Sequence, residues 1–164
     1  MSAKRYARLY IGGKVSEGFL SRLADKITQS DPALLDGYWN AWSGVITGRL
    51  IDYAKEDRWV EVRTDEARDG VIGLEDWLQE ERVPFDKHMP PFGDLPGVCT
   101  YYRPPETLIE RHCDFFGNSL LYWEDVRKVL TTYRLKRLKQ AREQLEKLLG
   151  PDIEELTRFE LVAS

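Results

Sequence analysis

This sequence predicts an α+β fold: an antiparallel or mixed sheet with helices on one face, and a long helix near the C-terminus. Three observations carry that reading. Strand-like stretches with apolar-polar alternation are mixed with stretches of helical periodicity, joined in places by short connections. Gly and Pro clusters cut the chain at turn-sized intervals. Residues 123–149 keep helical periodicity until Gly150-Pro151, a strong stop signal. A ferredoxin-like core is the expected arrangement.

The elements follow in order. Residues 5–11 alternate Tyr6, Arg8 and Tyr10 with Ala7, Leu9 and Ile11, a strand ended by Gly12-Gly13. Ser16 offers a side-chain oxygen as N-cap to a helix over 16–29, in which Phe19, Leu20, Leu23, Ala24 and Ile27 share a face. Asp31-Pro32 stops it. Residues 36–44 form an aromatic loop or irregular strand, 46–53 a weak strand, and 58–64 a better one, with Trp59, Glu61 and Arg63 against Val60 and Val62. A charged turn over 65–70 leads to a helix over 71–82 with Leu74, Trp77 and Leu78 on one face. Pro84, Pro90, Pro91 and Pro96 predict an extended, loop-rich stretch. Strands over 98–103 and 107–113 flank Pro104-Pro105, and a turn through Phe116, Gly117 and Asn118 leads to the long helix. Residues 158–163 form a last strand. The chain reads as one domain: an α+β core over 1–122, the helix over 123–149 packed on it or projecting from it, and a tail over 150–164.

Composition bounds the class. Apolar residues make up 42% of the 164 residues and charged residues 32%, enough to pack a core. No stretch approaches the roughly 20 apolar residues that span a bilayer, and the N-terminus carries no secretory pattern. The expected location is therefore the cytoplasm, with no membrane contact. Two cysteines are too few for a disulfide scaffold.

Charge is unevenly spread. Residues 127–147 hold eight Lys or Arg and two Glu, net +6 in a chain of net −4, which leaves −10 for the remainder. At 100° per residue, Val126, Val129, Leu130 and Tyr133 share one helix face. Leu135, Leu138, Ala141, Leu145, Leu148 and Leu149 form a second stripe, rotated by roughly 100°. A heptad seam drifts only about 20° in seven residues. The helix therefore bends near Arg134, or its halves contact different things. The second stripe either wraps round its own domain or carries an interface, with self-association as the simplest case.

Candidate chemistry is sparse. His112, Cys113 and Asp114, with Cys99 and His88, are the one set that points toward a metal or a thiol nucleophile. They lack C-x-x-C or H-x-x-x-H spacing, and in a strand His112 and Cys113 face opposite ways. A hairpin centred on Pro105 sets Cys99 opposite Arg111 with Cys113 one diagonal away, which is marginal for a disulfide. Two buried structural cysteines are the expectation. Asp65, Glu66 and Asp69 could hold a hard cation, but the interleaved Arg63 and Arg68 favour a charged turn. Gly12-Gly13 lacks a phosphate-loop context, and no hydrolase or zinc-protease motif is present. No catalytic residue, metal or cofactor is expected. Tyr38, Trp39 and Trp42, in a polar Gly-flanked stretch, either plug the core or form a protein-binding patch.

Leu74-Glu75-Asp76-Trp77-Leu78, Pro84-Phe85-Asp86 and Tyr102-Arg103-Pro104, all within residues 66–104, form a run that resembles a pattern in small uncharacterised proteins of plasmids, phages and other mobile elements. The resemblance implies an accessory protein that binds a host or element-encoded protein, and supplies no catalytic residues.

The functional expectation is a non-enzymatic interaction protein, an accessory or anti-defence protein of a mobile element. Tyr38, Trp39, Trp42, Leu135, Leu138 and Leu145 would contact a protein partner, and a homodimer is the variant in which the partner is a second copy. The alternative is a DNA- or RNA-binding accessory protein using Lys128, Arg134, Lys136, Arg137, Lys139 and Arg142. It ranks lower because the chain's remaining −10 repels a polyanion. An enzyme of unrecognised type ranks last.

Overall fold

The computed structural model describes residues 6–29, 43–64, 73–105 and 107–162. β1 (Ala7–Ile11) buries Ala7, Leu9 and Ile11 and leaves Arg8 and Tyr10 on the opposite face, as its alternation requires. The chain turns at Gly12 into a short β2 (Gly13–Val15). A Cβ on Gly12 would sit 2.0 Å from the Thr157 carbonyl oxygen, so only glycine lets these backbones meet. Helix α1 (Glu17–Gln29) begins where expected, with Ser16 Oγ accepting the Phe19 N–H at 3.3 Å.

Three elements of the core differ from the sequence reading. Residues 46–53 lie in helix α2 (Ser43–Lys55) and not in a strand. The buried Ile46, Leu50 and Tyr53 recur at helical spacing. Gly44 and Gly48, together with β-branched neighbours, lower local helix propensity and conceal that spacing. After β3 (Val60–Thr64), the second helix is only α3 (Glu75–Glu80), closed at Arg82 by a φ of 56°. The proline-rich stretch contains a central strand, β4 (Phe85–Met89). Pro84 and Pro90 flank β4 without entering it, so its amides remain free to pair on both sides.

β5 (Gly97–Arg103) and β6 (Thr107–Cys113) form the expected hairpin, with Cys99 opposite Arg111. The main sheet has the order β3-β1-β4-β5-β6 with antiparallel pairing throughout. A last strand, β7 (Phe159–Leu161), pairs in parallel with β2.

One sheet face is apolar. Leu9, Val62, Phe85, Met89 and Tyr102 join Leu20, Leu23, Leu50, Leu74 and Leu78 from the three helices in one buried cluster. Phe19 stacks on Trp77 with ring centroids 5.1 Å apart, linking α1 to α3. Lys87 is aimed into this layer, and its Nζ meets Glu75 Oε1 at 3.1 Å, both side chains being almost fully buried. Glu75 also sits in the first turn of α3, where the helix dipole favours a carboxylate.

The expected long helix is two. α4 (Trp123–Arg134) and α5 (Leu138–Leu149) are joined by a turn in which Lys136 has a φ of 59°. The stripe rotation near Arg134 therefore marks a reversal of the chain, not a bend. Among the described elements these helices pack mainly on each other. Their base is tied down from both sides. Tyr122 Oη lies 2.6 Å from His112 Nδ1, and Arg111 donates to the Pro151 carbonyl. The returning strand then crosses the core edge: Arg103 Nη2 donates to the Glu154 carbonyl at 2.7 Å and Trp59 Nε1 to the Leu156 carbonyl at 3.1 Å. No helix among the described residues is long and apolar enough to cross a membrane.

Candidate functional site

The helical hairpin carries an open apolar groove. Val126, Val129, Leu130 and Tyr133 on α4 face Leu138, Ala141, Leu145 and Leu148 on α5, with Leu121 closing one end. The groove encloses about 520 Å³. Both stripes recur at intervals of three and four, so each helix directs one apolar face into a common channel. Two 12-residue helices cannot cover such faces by themselves: α4 buries no residue and α5 only Ala141. Phe115, Phe116, Tyr122 and Trp123, in the segment that leads into α4, are also exposed, Trp123 by 67%. Contiguous exposed apolar surface of this kind marks an interaction site.

Basic side chains are spread over the hairpin, and one of them, Arg142, lines the groove. Its Nε donates to Glu146 Oε1 at 2.7 Å. Lys128 Nζ contacts Asp125 Oδ1 at 2.7 Å. These carboxylate partners raise the pKa of each cation above its ordinary value, Arg142 through Glu146 and Lys128 through Asp125. At the hairpin tip Lys136, Arg137 and Lys139 surround a shallow depression beside Leu138.

The sequence-derived residues thus fall into three groups. Leu138 and Leu145 line the groove. Leu135 lies at the turn, 62% exposed and outside the groove wall. Tyr38, Trp39 and Trp42 lie outside the described residues, as do Asp65, Glu66, Arg68 and Asp69. Of the cations, Lys128, Arg134, Lys136, Arg137, Lys139 and Arg142 are all on the hairpin, with Lys128 and Arg142 already engaged by carboxylates. Leu121 was not foreseen; it precedes the helix, where periodicity gives no signal.

A second region lies on the sheet face away from the core. Register brings Arg8, His88, Cys99 and Arg111 into one row across four strands. Cys113 pairs with Gly97 and so falls diagonally beside Cys99, as the hairpin reading expected. His88, named in the same set from sequence, takes its place beside Cys99 through the β4–β5 register. The ligating atoms of His88, Cys99 and Cys113 all lie within 4.8 Å of one another. Both cysteines are buried and neither forms a disulfide. His112 points to the opposite face, toward Tyr122. A cleft of about 480 Å³ opens over the row, lined by Tyr10, Tyr101, Phe116 and Gly117 among others. Burial, above all, lowers the His88 pKa, which favours the neutral imidazole. Burial and then the adjacent Cys99 raise that of Tyr101, which stays a phenol.

Comparison with protein-family models, with curated proteins and with solved structures finds no match.

Proposed function

We propose that the chain is a non-enzymatic protein-binding module whose α4–α5 groove receives an acidic amphipathic helix from a partner protein. The observation that carries this reading is the uncovered apolar channel, set in a segment (127–147) of net charge +6. An amphipathic helix laid in such a channel buries its apolar face as the third helix of a bundle. The channel is about 18 Å long, the span of 12 helical residues at about 1.5 Å each, which suits a helix of three to four turns. Carboxylates on the flanks of that helix would meet Arg142, which lines the channel. A second copy fits less well, because its own hairpin would bring a like-charged segment to the contact. Nucleic acid fits the charge but leaves the apolar channel unused. An accessory or anti-defence role in a mobile element rests on the residue 66–104 run alone and belongs with this proposal.

The test uses a labelled peptide of roughly 14 residues, the length of such a helix, with Leu at i, i+3, i+4 and i+7 and Glu on both flanks. Anisotropy should show saturable binding that weakens with salt and is lost by at least about tenfold in Leu145→Glu. Absence of binding at low salt, or binding unchanged in Leu145→Glu, contradicts the reading.

A further inference from the structure

We propose that His88 Nε2, Cys99 Sγ and Cys113 Sγ bind one zinc ion, with the fourth position open to the cleft on the polar face of the sheet. The ligand set is assembled by the sheet itself. Cross-strand pairing sets His88 against Cys99, and the hairpin sets Cys113 against Gly97. Gly97 matters here: a Cβ at that position would come within 3.0 Å of Cys113 Sγ and 2.7 Å of its carbonyl oxygen. Without that Cβ, the thiol has room on the face it shares with Cys99.

His88 is oriented as a metal ligand requires. Its Nε2 is buried and has no hydrogen-bond partner, and a Cβ on Gly117 would lie 3.8 Å from both this nitrogen and Cys99 Sγ, so the two atoms share one neighbourhood. In the tautomer protonated at Nδ1, Nε2 carries the lone pair that a metal ion needs. An orphaned buried nitrogen costs stability and calls for a partner. Gly117, at a φ of 87°, folds the following loop over the site, and its carbonyl accepts the Cys99 S–H at 3.6 Å.

The donors select the metal. Two sulfurs and one imidazole suit a borderline-soft ion and not Mg²⁺ or Ca²⁺. The nearby carboxylates are occupied elsewhere: Asp114 accepts from the Phe116 and Asn118 amides and from the Asn118 side chain, and Asp86 meets Arg103. Two thiolates balance the charge of Zn²⁺, so the buried site carries no net charge. Zn–S and Zn–N bonds of about 2.3 and 2.0 Å place tetrahedral ligand atoms about 3.5–3.8 Å apart. The observed spread of up to 4.8 Å closes with side-chain adjustments of about an ångström. The ion would bind strands β4, β5 and edge strand β6 together, and each thiol would release its proton on binding.

Cobalt(II) is the probe. The full-length chain, stripped by chelator and kept reduced, is titrated with Co²⁺ and then with Zn²⁺. One equivalent should produce thiolate-to-cobalt charge transfer in the near ultraviolet with intense visible bands of tetrahedral cobalt, and zinc should erase both. This readout needs no variant, so folding defects cannot obscure it. Cys99→Ser and Cys113→Ser should each diminish the charge transfer, His88→Gln should weaken affinity by at least about 100-fold, and His112→Gln should change neither. A cobalt spectrum without thiolate bands, preferential uptake of Cu(I) over Zn²⁺, or uptake unaltered in folded His88→Gln would overturn the proposal.

Discussion

Helix α1 sinks Phe19, Leu20, Leu23, Ala24 and Ile27 into the core, whereas α4, of similar length and with Val126, Val129, Leu130 and Tyr133 at the same spacing, buries none of its residues. Amphipathicity alone therefore does not tell whether a helix stabilises its own domain. What differs is the opposing surface. α1 meets a sheet face and two further helices; α4, among the described elements, meets mainly α5. Each side chain buried by α1 contributes about 1.5–3 kcal/mol. On α4 much of that free energy is left unrealised, and a partner helix would realise it.

Charges show the same contrast. The Glu75–Lys87 pair is inside the protein, while the Asp125–Lys128 and Arg142–Glu146 pairs are in solvent. Lys87→Ala leaves Glu75 buried without its cation and should cost about 3–5 kcal/mol, read from the urea midpoint. Leu23→Ala should cost about 2–5 kcal/mol by the same measurement. Gly12→Ala, which forces a methyl against Thr157, should cost about 1–3 kcal/mol. Leu138→Glu and Leu145→Glu should move stability by no more than about 0.5 kcal/mol, because these positions are exposed in the unbound chain. Loss of stability in the last two variants comparable to Leu23→Ala would erase the contrast between the helices. Arg142→Ala should leave the urea midpoint unchanged and weaken peptide binding a few-fold, more at low salt than at high. Light scattering should find a monomer; a dimer dispersed by Leu138→Glu would assign the groove to a second copy.

Local signals carried much of the fold. Ser16 capped α1 as its side chain allows, and Pro104-Pro105 set a hairpin whose Cys99–Arg111 register followed from counting outward. Strand β4 was hidden because prolines at its margins look like breakers, although none lies inside it. The reversal between α4 and α5 had no glycine or proline to announce it; Lys136 takes a left-handed conformation that non-glycine residues seldom adopt. The apolar stripes themselves were legible, and their rotation was the trace of that turn. The sulfur pair was legible as a diagonal. His88 was named with them, but its alignment opposite Cys99 was not legible, because residues 90–96 form a connection too long to fix the β4–β5 register from sequence.

The central claim is that the α4–α5 groove, and no other surface, receives the acidic helix. Methyl NMR during titration with the acidic peptide tests it most directly. The account predicts saturable shifts at Leu121, Val126, Val129, Leu130, Leu138, Leu145 and Leu148, with Leu9, Leu23 and Val62 unmoved. Shifts confined to residues outside the hairpin, or no shift at saturating peptide, would contradict it.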